Sequence, residues 1–167
     1  MTSETRFDPL ARFAEIERLV GKIYFRFSHL FLHEPELRDF WWEMAVEEEQ
    51  HGAILTACQE IIESYDDEKL DASITEEKAE RLGGRLKEFL SKGTASLSVE
   101  EAFRIALEVE TSEIDAIYSK LLQLGGPKIA KTLENLGVPA SVQRQKLKSA
   151  LLQFCKDPEL LGAARQL

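Results

Sequence analysis

Residues 41–55, WWEMAVEEEQHGAIL, decide how this chain folds, because they carry two patterns at once. The apolar residues recur at helical spacing, while three glutamates and a histidine stand among them. Extending alternate steps of four and three in both directions selects Leu37, Trp41, Met44, Glu48, His51, Leu55, Cys58 and Ile62. Every member is apolar except Glu48 and His51. A stripe with this period is the face a helix turns toward its partners. The spacing therefore places Glu48 and His51 inward and leaves Glu47 and Glu49 on flanks that reach solvent. The competing reading is a solvated charge run that happens to contain a histidine.

Two further segments repeat the pattern. Phe13, Glu17, Val20, Tyr24, Phe27 and Phe31 form one stripe, and Phe103, Leu107, Glu110, Ile114, Ile117 and Leu121 form another. Each has one glutamate in an otherwise apolar or aromatic line. An unpaired carboxylate in an apolar interior costs several kcal/mol, about 2–7 for polar groups in general and more for charges. Three of them converging need a compensating charge. Carboxylate oxygens and an imidazole nitrogen are natural ligands of a divalent metal ion. Residues three apart on a helix share a face, so Glu48 and His51 can reach one ion together. A lone Glu-x-x-His is common on wet helix faces; its place on an apolar stripe, with Glu17 and Glu110 on theirs, singles this one out.

Outward from that stretch, the chain reads as helices with clear punctuation and no period-2 strand. Asp8-Pro9 supplies an N-cap and a proline at the first helical position, opening a helix to about residue 31. Pro35 opens a second helix to about residue 64, followed by the polar link YDDEKLDAS. Ser73 and Glu76 have capping-box spacing and begin a shorter helix toward Leu90, weakened by Gly83-Gly84. Ser98 and Glu101 repeat the box and open a helix that runs to Gly125-Gly126, before Pro127. From Pro127 to Phe154 the composition is helical again, but Gly137 and Pro139 predict two pieces or a sharp kink. The tail DPELLGAARQL adds a short final turn. The expected architecture is one all-α domain spanning 1–167. It has a helix pair over 8–64, a crossover over 65–97 with an extra short helix, a second pair over 98–155 and a tail over 156–167.

Bulk properties narrow the function. A chain of 167 residues supports one domain with a real core. The net charge of −9 argues against a nucleic-acid partner, which needs clustered Lys and Arg. No run reaches the roughly 18 apolar residues of a membrane span. The N-terminus MTSETRFDPL has no export pattern, so a cytoplasmic location is the default expectation. Cys58 and Cys155 form no CxxC, which excludes a disulfide framework and a thiolate zinc knuckle. A Gly-rich phosphate loop and a nucleophile elbow are both absent from the sequence.

These motifs resemble the ferritin-like superfamily, a four-helix bundle with one long crossover, and within it the rubrerythrin-like di-iron proteins. Glu17 precedes Tyr24 by seven residues, and FWWEMAVEEEQHGAIL is similar to the second-helix signature of that family. The resemblance implies Glu17, Glu48, His51 and Glu110 as metal ligands. Glu113 is the alternative to Glu110, because Tyr118 follows Glu110 by eight residues rather than seven. It also implies Tyr24 and Tyr118 as hydrogen-bond donors to ligand carboxylates, beside the simpler reading of both as core residues. The fourth helix departs from the family: no Glu-x-x-His occurs after residue 110. A register drawn back from Leu147, Leu151 and Phe154 sets Arg144 where the bridging glutamate belongs and Leu147 where the histidine belongs. The implication is one ion rather than two, iron first, with manganese or zinc as alternatives, and Arg144 supplying the missing positive charge. Without a rubredoxin-like CxxC module, redox or peroxide chemistry would need a separate electron donor. Such bundles commonly form homodimers. The runner-up is a degenerate bundle without metal, acting as an interaction or dimerisation scaffold, with Glu48 paired to Arg144 or protonated. His29, His33, Glu108 and Asp115 read as surface residues, Trp41 as core, Trp42 as exposed or a subunit contact, and Cys58 as an inert buried thiol.

Overall fold

The computed structural model describes residues 7–61, 75–93, 97–112, 114–123, 126–137 and 139–167, and every regular element among them is helical. In chain order these are α1 (Pro9–Leu30), α2 (Pro35–Ile61), α3 (Glu76–Lys92), α4 (Val99–Glu110), α5 (Ile114–Leu122), α6 (Pro127–Glu134), α7 (Ala140–Phe154) and α8 (Pro158–Ala164). Among the described residues, no helix is long and apolar enough to cross a membrane.

The first helix starts as its sequence predicts. Asp8 accepts a hydrogen bond from the Ala11 amide at 3.1 Å, and Pro9 follows in the first turn, where its missing N–H leaves no bond unmade. After a short turn over residues 31–34, Pro35 opens α2, which packs back along α1. Two glycines set how closely they approach. A Cβ on Gly52 would lie 3.1 Å from the Ala14 carbonyl oxygen and from Arg18 Cγ; one on Gly21 would lie 3.3 Å from the Ala45 oxygen and from Glu48 Cβ. These two close contacts bracket the level of Glu17 and Glu48.

An aromatic cluster fixes the other end of this pair. Trp41 is fully buried, with ring centroids of Tyr24 at 5.6 Å, Phe27 at 4.9 Å, Phe40 at 4.8 Å and Phe103 at 4.8 Å. Burial of each large apolar side chain stabilises the fold by about 1.5–3 kcal/mol, and these rings join α1, α2 and α4. Trp42, by contrast, is half exposed and packs only at the surface against Phe25.

The capping box at the start of α4 is complete. Ser98 Oγ accepts from the Glu101 amide at 3.1 Å, and Glu101 Oε2 accepts from the Ser98 amide at 2.7 Å. The helix does not continue to Gly125 as its composition predicts; α4 ends at Glu110. There the Thr111 hydroxyl donates to the Leu107 carbonyl at 2.7 Å and the Ser112 amide turns to the Val109 carbonyl at 3.0 Å. Hydroxyls that compete for backbone carbonyls in this way bend or end a helix; α5 begins at Ile114, and Ile117 and Leu121 of the expected stripe are buried. The α3 cap also differs from expectation. Thr75, not Ser73, caps it, accepting from the Lys78 amide at 3.2 Å; Ser73 and the 65–74 part of the crossover lie outside the described residues. A Cβ at Gly83 would come within 2.7 Å of Arg12 Nη2, so the glycine leaves room for the end of that side chain between α1 and α3.

Residues 127–154 form two helices, α6 and α7, as Gly137 and Pro139 predict. The tail is a seven-residue helix rather than a turn: Asp157 caps α8, whose Leu160 and Ala164 are buried. Glu100 ties this corner, accepting from the Lys156 and Asp157 amides at 2.9 Å each. In the assembled chain α1, α2, the α4–α5 segment and α7 enclose one interior, and α3 packs on α1.

Both thiols are free and buried. Burial pushes Cys155 up from 9.0 to about 11, helped by the negative charges of Glu100 and Asp157. The folded thiol thus keeps its proton at a pH where the unfolded chain has lost it, and stability falls as pH rises through that interval. Urea midpoints should therefore decline from pH 9 toward pH 11, and Cys155→Ala should decline less over the same range. Parallel slopes would show that the thiol carries no part of the alkaline loss.

Candidate metal centre

Three side chains meet between α1 and α2, at the level bracketed by Gly21 and Gly52. Glu17, Glu48 and His51 are each only 2–3% exposed. His51 Nδ1 lies 3.7 Å from Glu48 Oε2 and 4.0 Å from Glu17 Oε2. One ligating atom from each residue falls within a set whose members are all within 4.8 Å of one another. Donors about 2.0–2.2 Å from one ion stand roughly 3–4 Å apart, so small side-chain adjustments bring the three onto a common centre. The inward placement of Glu48 and His51 matches their stripe, and the glycine at position 52 keeps the turn that carries them against α1.

Other helices complete the surroundings. From α7, the fully buried Gln143 donates through Nε2 to Glu48 Oε1, leaving Glu48 Oε2 on the His51 side. From α5, the Tyr118 ring packs on the imidazole of His51 with centroids 4.7 Å apart and planes at 34°. Glu110, at the end of α4, is 3% exposed and accepts from the Tyr24 hydroxyl at 2.5 Å. It does not belong to the mutually close set of Glu17, Glu48 and His51. Its alternative, Glu113, lies outside the described residues.

Two expectations are corrected here. Glu47 does not reach solvent: it is 4% exposed, and its Oε1 accepts from Lys146 Nζ of α7. That contact, with Glu43 at 3.8 Å adding to it, raises the Lys146 pKa above its ordinary 10.5. The α7 residue facing Glu48 is Gln143, not Arg144, which is half-buried. From Leu147 a helical stripe steps back by either three or four; the structure takes four, giving Gln143, Leu147, Ala150 and Leu151 as the buried side. An amide enters an apolar interior at far lower cost than a guanidinium. Gln143 is thus the residue at the group that the sequence reading missed, and the four-residue step from Leu147 to Gln143 was the available signal. His29 and His33 are exposed, as read.

Two oxygens, Glu47 Oε2 on α2 and Gln143 Oε1 on α7, are buried with no hydrogen-bond partner among the described residues. An unsatisfied buried acceptor costs about 1–3 kcal/mol. Native proteins keep few of them, often where an ion or water completes the set. Donor types, burial and spacing are those of a group that could hold a metal ion.

No protein-family model, no curated protein and no solved structure matches this chain. What defines it is an all-helical fold with a buried Glu–Glu–His group able to hold a metal ion.

Tyr24→Phe removes the hydroxyl that serves the Glu110 carboxylate. The expected result is a loss of about 1.5–3 kcal/mol in urea unfolding, the range for hydrogen bonds to charged groups. An unchanged midpoint would show that Glu110 does not depend on that donor.

Proposed function

We propose that this chain is a ferritin-like metal-binding bundle, with α1, α2, α4–α5 and α7 as its four members, holding one divalent ion through Glu17, Glu48 and His51. The observation that carries this reading is the mutual proximity of three buried ligating atoms on two helices. Two carboxylates and one imidazole suit iron, manganese and zinc, with no thiolate to favour softer ions. The charges agree as well: two carboxylates balance one divalent cation, which supports one ion rather than two. Iron bound there would supply one-electron chemistry toward dioxygen or peroxide.

The chain's own residues have separate tasks in this reading. Gln143 holds Glu48 by one oxygen and so leaves the other to ligate. Tyr118 restricts the His51 ring and shields it from water. Tyr24 keeps Glu110 oriented near the centre, as an outer carboxylate. Redox turnover would draw on a separate electron donor. Self-association through the α1–α2 face is part of the proposal, supported by the half-exposed Trp42 and Phe25 packed together at 5.5 Å.

The test is elemental analysis of protein purified without chelators, beside Glu48→Ala and His51→Leu. About one equivalent of iron, manganese or zinc per chain is expected, lost in both variants, since metal affinity depends on each ligand. If the wild type takes up no ion even after anaerobic loading with ferrous iron, the metal reading is wrong. A metal-free scaffold would instead gain stability in His51→Leu, as the leucine fills the core.

A further inference from the structure

Away from the acidic group, α1, the last turn of α3 and α4 with the preceding Leu97 border a cavity of about 200 Å³. Glu17, Glu48 and His51 do not line it. Its floor is the buried pair Ile23 and Phe27, and the half-buried Phe89, Leu97 and Ile105 stand as its walls. Packed interiors keep few voids larger than a water molecule, because the lining of a void forfeits its contacts. An apolar cavity of about 150 Å³ stays dry and takes up benzene, so this one has room for a short hydrocarbon chain.

The edge of the cavity selects among apolar ligands. The chain carries a net charge of −9, yet the charged residues in the described lining are Arg26 and Lys92, both exposed cations. Arg26 Nη1 donates to the Leu90 carbonyl in the last turn of α3, and a guanidinium has more N–H groups than that one bond uses. Lys92 Nζ lies 2.7 Å from Glu88 Oε1, an exposed pair of small worth. Glu88 is not part of the described lining. The described lining thus passes from apolar depth to cationic edge, with no carboxylate to oppose an anion.

We infer that this cavity binds a small amphipathic carboxylate, with its hydrocarbon chain against Ile23, Phe27 and Ile105 and its charged end at Arg26 and Lys92. Burial of the chain supplies the affinity, and the two cations set the orientation. Arg26 is the stronger partner, because its planar fork matches the two oxygens of a carboxylate. The site stands whether or not Glu17, Glu48 and His51 hold an ion.

The experiment is calorimetric titration of the full chain with octanoate below its micelle concentration, with octanol as the uncharged chain of equal length. Methyl NMR of the wild type is recorded alongside. One octanoate per chain is expected, with shifts gathered at the methyls of Ile23, Leu97 and Ile105. Octanol with the wild type, and octanoate with Arg26→Gln, should each bind roughly tenfold more weakly, the worth of a hydrogen bond to a charged group. Ile105→Trp fills the cavity and should abolish binding; the wild-type methyl shifts answer the same question if tryptophan disturbs the packing. No octanoate binding by the wild type overturns the inference, as do shifts gathered elsewhere or undiminished binding by Ile105→Trp. Equal affinity for octanol and octanoate, or an unchanged Arg26→Gln, overturns it as well, because the cavity would then take apolar ligands without regard to charge.

Discussion

Two carboxylates and an imidazole lie within a few ångströms of one another in an apolar interior, and the helices around them are arranged to make that arrangement tolerable. Charges removed from water are stabilised only by partners at close range. Gly21 and Gly52 let α1 and α2 approach closely enough for Glu17 to reach the residues of α2. Gln143 occupies one oxygen of Glu48, Lys146 occupies one of Glu47, and Tyr24 serves Glu110. Glu47, Glu48 and Glu110 each thus receive a donor from a helix other than their own, so their polar contacts also tie the helices together.

The aromatic cluster supplies what polar contacts cannot. Trp41, with Tyr24, Phe27, Phe40 and Phe103 around it, holds α1, α2 and α4 by apolar burial just beyond the site. Tyr24 belongs to both systems: its ring packs on Trp41 while its hydroxyl serves Glu110. Side chains with locked packing and a hydrogen bond are the means by which a metal site is kept in register. The break between α4 and α5 has a place in this too. It ends α4 at Glu110, and α5 beyond it carries the Tyr118 ring against His51.

Much of this was legible in the residues themselves. Asp8-Pro9 and Ser98 with Glu101 mark helix starts that the structure keeps, because capping is a local exchange of hydrogen bonds. The stripe through Trp41, Met44, Glu48, His51 and Leu55 is buried throughout, because a long uninterrupted helix carries its phase from one end to the other. Thr111 and Ser112 end α4 through hydroxyl contacts that no periodicity reveals. Within α7 the spacing alone allows a step of three or four back from Leu147, and the fold takes four, so that Gln143 rather than Arg144 turns inward.

The sequence by itself determined the helical class, the principal caps and the inward face of the first two helices, since each follows from spacing within a few turns. Only the tertiary structure decided that Glu47 is buried, that Lys146 and Gln143 meet the two carboxylates of α2, and that Glu110 answers to Tyr24 rather than joining the close group. Those outcomes depend on the relative rotation of helices about ninety residues apart in the chain. Rotation of that kind is set by packing and by the balance of buried charge, and neither is written in any one segment.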